Sequence, residues 1–252
     1  MNRIIVSLLL VALGLFSRTV LAWDCSTVTP STTLSPQNIT ISRDLPMGAV
    51  IGTQIMTPTV NAFSCYDSQE GVISNQTFGV KATGTFDSMV NGVRVYKTNV
   101  NGIGYAISAT TAKCAGGNAT VTGSNTMRGD INTAQLCQNT TGMISPGLNG
   151  SVTVTFYKTA TETGSGTISA RTVGALVLLN NSLLWQSPEA AVSINAFTVT
   201  TPACKLTAAS IPVDMKEVDK NAFNGKGTTP GETYTQSFSL PMTCNAGTCL
   251  LY

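Results

Sequence analysis

The heptapeptide SVTVTFY, residues 151–157, alternates apolar and polar side chains without interruption. Val152, Val154 and Phe156 form the apolar set, and the threonines between them form the other set together with Tyr157. Because successive side chains of a β-strand point to opposite faces, the pattern predicts a strand with one face on a core and the other toward water.

Further strand patterns lie on both sides of this heptapeptide. Residues 172–179 are nearly all apolar, which predicts a strand buried on both faces. Residues 191–200 predict another strand, whose alternation slips near Phe197, as at a bulge. Upstream, Ile39 and Ile41 alternate with polar residues. No convincing apolar period of 3.6 residues occurs, so the sequence favours an all-β fold.

Turn signals separate the strand patterns. The dipeptides Asn91-Gly92, Asn101-Gly102 and Asn149-Gly150 favour tight turns, because both residue types tolerate positive φ. Many short strands at short spacing predict an antiparallel β-sandwich or barrel. The polar segment Thr200-Thr201-Pro202-Ala203 is typical of an extended linker, since the residue before a proline is biased away from helix. We therefore expect one domain over residues 23–199 and a second over residues 200–252.

The composition excludes several reaction classes. The 252 residues include no histidine, so Ser-His-Asp and Cys-His nucleophile systems and His-ligated zinc are absent. The acidic residues are scattered, and no motif of paired carboxylates stands out. We expect no enzymatic activity, no cofactor and no bound metal. A β-sandwich hydrolase with two converging carboxylates is the alternative.

Residues 1–22 have the features of a secretory signal. Arg3 precedes an apolar stretch over residues 4–16, and Val20-Leu21-Ala22 is a small-residue cleavage pattern. The alternative is an uncleaved anchor, which the short apolar stretch disfavours because a membrane span needs ~20 residues. Cleavage would remove two of the 14 basic residues and none of the 12 acidic ones. The mature chain would then be formally neutral, which gives no electrostatic case for a nucleic-acid partner.

A secreted chain with seven cysteines is expected to form disulfides. Cys25 to Cys65 and Cys204 to Cys244 each span 40 positions, and a bond across either span would stabilise its domain by roughly 3–4 kcal/mol. Six cysteines allow 15 connectivities. Pairing in chain order gives Cys25–Cys65, Cys114–Cys137 and Cys204–Cys244. That leaves Cys249, which is either a free thiol or a cysteine whose partner is missing.

In their order along the chain, several segments resemble those of the two-domain tip adhesins of chaperone–usher fimbriae, relatives of the type 1 and type 3 fimbrial adhesins. The resemblance covers essentially the whole chain after the signal. It is carried by the cysteine near the cleavage point in WDC (23–25), VYKTNVNGIGY (95–105), the late strand GALVLL (174–179), CKL (204–206) and FSLPMTC (238–244).

The resemblance implies a lectin-like β-sandwich followed by an immunoglobulin-like pilin domain that lacks its last strand. A periplasmic chaperone, and then the next fimbrial subunit, would supply that strand by strand addition. Cys25 follows the cleavage point too closely to leave room for a donor extension, which favours the tip over the shaft. The chain would pass through the periplasm and the outer-membrane usher to the fimbrium tip on the bacterial surface. There it would bind a host glycan or matrix protein. The alternative is a non-adhesive minor subunit or adaptor.

The second domain departs from the pattern of the family. Residues 204–252 are far fewer than the ~100 residues of an immunoglobulin sandwich. We expect a truncated, frameshifted or partial pilin domain in which Cys249 has no counterpart. The alternative is a divergent short domain, although so short a chain buries little surface.

The resemblance to mannose-specific members also implies a ligand pocket at the far end of the first domain. The corresponding positions are the mature N-terminal residue, polar residues after the second cysteine and polar residues after the late strand: Trp23, Tyr66, Asp67, Gln69, Asn180 and Asn181. Asp and Asn provide acceptors and donors for vicinal hydroxyls, and Trp and Tyr provide flat faces for a sugar ring. Mannose binders have an Asn-Asp type of pair where this chain has Tyr66-Asp67, so mannose specificity does not follow.

Alternatives remain for these positions. Asp67 and Gln69 would equally suit a solvated turn, and Asn180-Asn181 would suit a tight turn because Asn tolerates turn geometry. We expect Trp185 and Tyr105 to pack at the edge of the core rather than contact a ligand.

Overall fold

The structure is a computed structural model that describes residues 23–42, 44–67, 73–144, 146–202, 204–206, 210–215, 217–231 and 234–244. The predicted signal, residues 1–22, lies outside the described residues. The chain divides into two compact units, with a break between Thr200 and Thr201. Residues 40–44 are grouped with the second unit, and the rest of the described chain up to Thr200 forms the first.

The first unit consists of short strands joined by turns, and the strand that begins at Ile39 ends one residue inside the segment grouped with the second unit. In chain order they are β1 (Trp23–Thr27), β2 (Ser31–Leu34), β3 (Ile39–Thr40), β4 (Val50–Met56), β5 (Val60–Asp67), β6 (Gln76–Ala82), β7 (Phe86–Val90), β8 (Val93–Lys97), β9 (Ile103–Thr110), β10 (Asn118–Thr120), β11 (Thr133–Asn139), β12 (Leu148–Lys158), β13 (Gly166–Ile168), β14 (Arg171–Asn180), β15 (Leu184–Trp185), β16 (Ala190–Ile194) and β17 (Phe197–Thr200).

These strands form two large sheets and a small one. The first large sheet has the order β1-β5-β12-β9-β8-β7, with β4 beside β12 and β10 beside β9. The second has the order β11-β6-β14-β16-β2, with β15 beside β14, and the small sheet has the order β13-β17-β3. Antiparallel pairing predominates, and β2 joins β16 in parallel. The predicted all-β, antiparallel fold is therefore confirmed.

Buried aromatic pairs join the sheets into a sandwich. Phe63 on β5 and Phe78 on β6 meet edge to face, with ring centroids 6.2 Å apart. Phe156 on β12 packs in the same way against Phe197 on β17, at 5.0 Å. Such pairs contribute about 0.5–1.5 kcal/mol beyond the area they bury. The core of the first unit therefore lies between its two large sheets.

Two of the predicted strands are confirmed, with one difference. Residues 172–179 lie in β14, where the side chains from Val173 onward are buried. Residues 151–157 lie in β12, and their apolar set is buried as predicted. The opposite face is less open than expected, because Thr155 is buried too. A second apolar cluster of β7, β8 and β9 residues, beside Tyr157, covers part of that face.

The predicted strand over residues 191–200 is wrong as a single element. It divides into β16 and β17, which belong to different sheets. The slip in alternation near Phe197 is therefore a change of sheet and not a bulge. Alternation along the chain shows only which face of a strand is apolar. It does not distinguish a bulge within one strand from a change of sheet.

Two of the three predicted tight turns are confirmed. Asn91 and Gly92 join β7 to β8 with φ of 50° and 79°, and Gly102, with φ of 72°, joins β8 to β9. Asn149-Gly150 is instead inside β12, beside a register shift. A Cβ on Gly150 would lie 2.9 Å from the Thr110 carbonyl oxygen, so close backbone approach, not a turn, accounts for this glycine.

The second unit has little regular structure in its described part. Strands β18 (Cys204–Leu206) and β19 (Met242–Cys244) pair antiparallel, with Cys204 opposite Cys244 as the predicted disulfide requires. A 3₁₀ turn, Lys220–Ala222, is capped by Asp219. The side chains of β18 and β19 lie outside the described residues, as does Cys249. In the part of the chain that the structure describes, no helix is long and apolar enough to cross a membrane.

Candidate functional site

A disulfide organises one end of the first unit. Cys25 on β1 is bonded to Cys65 on β5, as predicted, and the predicted Cys114–Cys137 bond also forms. The antiparallel register places Trp23 directly opposite Asp67. Two predicted ligand-binding positions that are far apart in sequence are therefore cross-strand neighbours at this end, which we call the disulfide end.

A fully buried amide pair lies behind the disulfide. Gln76, the first residue of β6, donates from Nε2 to Oδ1 of Asn180 at 2.8 Å, and the same nitrogen lies 3.4 Å from Sγ of Cys65. The backbone N–H of Ile144 donates to Oε1 of Gln76 at 3.0 Å. Nδ2 of Asn180 lies 3.6 Å from Sγ of Cys25. Buried amides are costly unless they are paired, and these are paired at both ends.

The turn after β14 is tied to the segment before β6. Asn181 has φ of 53°, so the turn geometry considered for this residue is present. Its Oδ1 accepts hydrogen bonds from the backbone N–H and the hydroxyl of Ser74, at 2.8 and 3.2 Å. Oγ of Ser182 donates to Oδ1 of Asn75 at 2.8 Å. The two polar segments therefore hold each other in place.

Tyr66 is an exposed aromatic residue at the disulfide end. Its side chain is 60% exposed, and its hydroxyl donates to Oδ2 of Asp24 at 3.3 Å. Asp24 also lies opposite Tyr66 in the β1–β5 register. A phenol ring and a carboxylate thus lie together at the surface, which is a suitable combination for hydroxyl-bearing ligands.

The predicted site residues have different surroundings. Trp23 and Asp67 are located here by their backbone pairing, Tyr66 is at the surface, and Asn181 lies in the neighbouring turn. Asn180 is fully buried and its amide is occupied, so its place in this structure is that of a support for the exposed residues. Gln69 lies outside the described residues.

Sequence reasoning missed Gln76 and Asp24. Gln76 follows Asn75 in a short polar run, and nothing local distinguishes it from a surface residue. Its partners Asn180 and Ile144 are 104 and 68 positions away. Asp24 is adjacent to Cys25, so its position beside the first cysteine was the available signal.

Tyr105 and Trp185 both pack against the core of the first unit, Tyr105 inside it and Trp185 at its edge. Tyr105 is fully buried beside Tyr96, with ring centroids 6.0 Å apart, and its hydroxyl donates to the Thr83 carbonyl. Burial raises the pKa of Tyr105 to about 12, because the phenolate would lose its hydration. Trp185 packs against a buried cluster that includes Met127 and Val177.

No family model matches the chain, and no curated protein matches it. Solved structures similar to it include the following three. The receptor-binding domain of the plasmid-borne adhesin MrkD1P of Klebsiella pneumoniae is 19% identical, with a TM-score of 0.47, over 73% of this chain and 98% of that domain. The ambient temperature fimbriae adhesin AtfE of Proteus mirabilis is 20% identical, with a TM-score of 0.46, over 68% of this chain and 98% of AtfE. The CupB6 tip adhesin of Pseudomonas aeruginosa is 6% identical, with a TM-score of 0.35, over 70% of this chain and 42% of CupB6.

Proposed function

We propose that the chain is a fimbrial tip adhesin whose first unit binds a host-surface glycan or an extracellular-matrix protein without catalysis. One observation carries the proposal: three segments that the family resemblance assigns to ligand binding meet at one disulfide. They are residues 23–25, 65–67 and 180–181, and the contacts of Gln76 and Asn180 with the two sulfurs join them.

The chemistry of the disulfide end suits recognition of hydroxyl groups. Tyr66 supplies an exposed ring and Asp24 a carboxylate on one face of the β1–β5 pair, and the backbone pairing brings Trp23 and Asp67 together at the same strand ends. The covalent bond and the buried amide pair hold these strand ends before a ligand arrives. A preorganised site loses less conformational entropy on binding, which raises affinity. In this proposal Trp23, Tyr66, Asp67 and Gln69 contact the ligand, while Asn180 positions them with help from Asn181.

The second unit supplies the assembly part of the proposal. Its described residues expose large apolar side chains, among them Phe238 and Leu240, which are 57% and 52% exposed. Phe238 and Leu240 alternate with Ser239, a pattern that suits one face of a strand pair. A strand donated by a periplasmic chaperone, and later by the adjacent subunit, would cover such side chains. Export through the periplasm and the outer-membrane usher to the fimbrium tip follows from this role.

A binding screen tests the proposal. The purified full chain is applied to a glycan array and to immobilised collagens and fibronectin. We expect saturable binding to at least one of these surface ligands. A folded chain that binds none of them, but is captured by a co-expressed periplasmic chaperone, would instead be the non-adhesive subunit or adaptor.

A further inference from the structure

A polar cleft of about 250 Å³ lies on the second large sheet, on the face turned away from the sandwich core. Phe78 on β6 points into the core against Phe63. Lys81 is three residues further along the same strand, so its side chain projects from the opposite face. Around Lys81 the cleft is lined by Asp130, Trp185, Gln186, Ser187 and Glu189. We call it the Trp185 cleft.

The side chain of Trp185 forms one apolar side of this cleft and is held in place by packing. It lies opposite Leu179 in the β14–β15 pair and packs against the buried cluster of Met127, Ala175, Val177 and Leu179. The same residue lines the cleft and is half-buried. An indole held by core packing offers a rigid platform that loses little entropy when a ring stacks on it.

Hydrogen-bond acceptors surround the Trp185 side chain. Oε1 of Glu189 accepts from Nζ of Lys81 at 2.7 Å, and Oδ1 of Asp130 accepts from the backbone N–H of Asn132 at 2.9 Å. Nε2 of Gln186 donates to the Cys25 carbonyl at 2.9 Å. Within the described residues, the other oxygens of these three side chains, Glu189 Oε2, Asp130 Oδ2 and Gln186 Oε1, accept no hydrogen bond. Three acceptors and the remaining N–H groups of Lys81 are therefore available to a ligand that carries hydroxyls.

The charge of the cleft restricts the ligand class. Two carboxylates and one ammonium give the lining a formal charge of minus one, which disfavours sulfated or sialylated sugars. A cationic peptide is also disfavoured, because the Lys81 ammonium already occupies the position beside Glu189. A neutral polyhydroxyl ring is repelled neither by the carboxylates nor by the Lys81 ammonium. It matches a flat apolar wall with a few convergent polar groups.

The geometry points to a neutral pyranose of the host ligand as the occupant of the Trp185 cleft, stacked on the indole and hydrogen-bonded by Asp130, Gln186 and Glu189. This inference rests on the proposed adhesin function and specifies a ligand class for it. Gln186 contacts the cleft and, through the Cys25 carbonyl, the disulfide end.

The test uses two substitutions that preserve shape. Asp130→Asn keeps Oδ1 as the acceptor of the hydrogen bond from the Asn132 N–H, and Glu189→Gln keeps Oε1 as the acceptor of the hydrogen bond from Lys81. Each substitution replaces the unpaired oxygen, Asp130 Oδ2 or Glu189 Oε2, with an NH₂ group that donates. Matched controls are Asp87→Asn on β7 and Glu162→Gln in the loop after β12, which change the same groups outside the cleft. Unchanged unfolding midpoints verify that all four variants fold.

The probes are methyl α-mannoside, methyl β-galactoside and N-acetylglucosamine, with sialyllactose and tetralysine as charged comparators. Indole emission of the full chain is recorded beside that of Trp185→Phe, so that the part of any change that comes from Trp185 is identified, because the chain has two tryptophans. We expect at least one neutral sugar to shift this emission saturably. We also expect both cleft variants to weaken its binding about 10-fold or more, as for loss of a charged hydrogen bond, with the controls within about 2-fold.

Other outcomes overturn the inference. It fails if no neutral sugar changes the Trp185 emission, if both cleft variants bind as the parent does, or if sialyllactose or tetralysine is the preferred probe. The adhesin function is tested separately by the screen of the full chain on arrays and matrix proteins. If Asp130→Asn and Glu189→Gln bind in that screen as well as the parent does, the cleft does not hold the ligand, and the adhesin function is still supported. A full chain that binds nothing in the screen contradicts the adhesin function itself.

Discussion

Gln76 donates a 2.8 Å hydrogen bond to Asn180, and both side chains are fully buried. The bond connects the start of β6 to the end of β14, directly behind the disulfide that ties β1 to β5. The backbone at the disulfide end is thus fixed by one covalent bond and one buried polar pair. The exposed ligand-binding candidates are attached to this support.

Replacement of Gln76 by leucine tests the buried pair. Gln76→Leu leaves the Ile144 N–H and Asn180 Oδ1 without their partners, and each unsatisfied buried group costs about 1–3 kcal/mol. We expect the free energy of unfolding, measured with urea, to fall by about 2–6 kcal/mol. The control is Gln54→Leu at an exposed position of β4, where the change should stay within about 0.5 kcal/mol. Equal effects of the two substitutions would contradict the assignment.

Removal of each disulfide separates stability from binding. Cys25→Ser/Cys65→Ser and Cys114→Ser/Cys137→Ser should each lower the free energy of unfolding by about 2–5 kcal/mol. The Cys25–Cys65 bond joins the strands that carry Trp23 and Asp67, so only its loss should also abolish ligand binding at a temperature where both variants are folded. Full binding by the Cys25/Cys65 variant would show that the disulfide end does not hold the ligand.

Gly79 is the position in β6 where a side chain would meet the backbone of β11. A Cβ there would lie 2.5 Å from the Ala134 carbonyl oxygen and 2.1 Å from Sδ of Met127. Gly79→Ala should therefore destabilise the first unit by about 1–3 kcal/mol, seen as a lower Tm. Gly164→Ala is the control, since its nearest neighbour would be Val100 at an ordinary 3.4 Å. A Tm for Gly79→Ala as high as that of the control would mean that β6 and β11 pack differently.

The alkaline stability of the fold should depend on Tyr105. Burial raises its pKa to about 12, whereas an unfolded tyrosine titrates near 10. The unfolded chain therefore loses this proton first, and the stabilisation is complete below about pH 10 and declines as the pH rises toward 12. We expect a loss of about 2–3 kcal/mol over that range. Tyr105→Phe should show a shallower decline, to which Tyr96 also contributes because burial raises its pKa as well. Identical slopes for the variant and the parent would contradict this assignment.

The features that were predictable from the sequence are those set by local pattern. Burial of Val152, Val154 and Phe156 was predictable from their alternation with polar residues. Burial of the strand that ends at Asn180 was predictable from its nearly continuous apolar sequence. The Cys25–Cys65 and Cys114–Cys137 bonds agree with pairing in chain order, which is one of the 15 connectivities that six cysteines allow. The grouping of Trp23 with Asp67 was implied by the resemblance to the tip adhesins.

The features that were missed depend on partners far away in the sequence. Gln76 lies in a polar run, and its role arises from Asn180 on another strand. Gly150 is a glycine because of the Thr110 carbonyl of a neighbouring strand, so it did not mark a turn. Lys81 and Glu189 are single charges in their own segments, and only the sheet brings them to 2.7 Å. Local periodicity carries no information about such pairs.

The most direct test of the central claim measures equilibrium binding of the full chain to the ligand found in the screen. Asp67→Ala and Trp23→Ala are compared with the parent and with Asp87→Ala, a matched control on β7. We expect each substitution at the disulfide end to weaken binding by about 10-fold or more, which corresponds to about 1.4 kcal/mol. The unfolding midpoints should stay the same, and Asp87→Ala should bind like the parent. If Asp67→Ala and Trp23→Ala both keep the affinity of the parent, the ligand does not bind at the disulfide end.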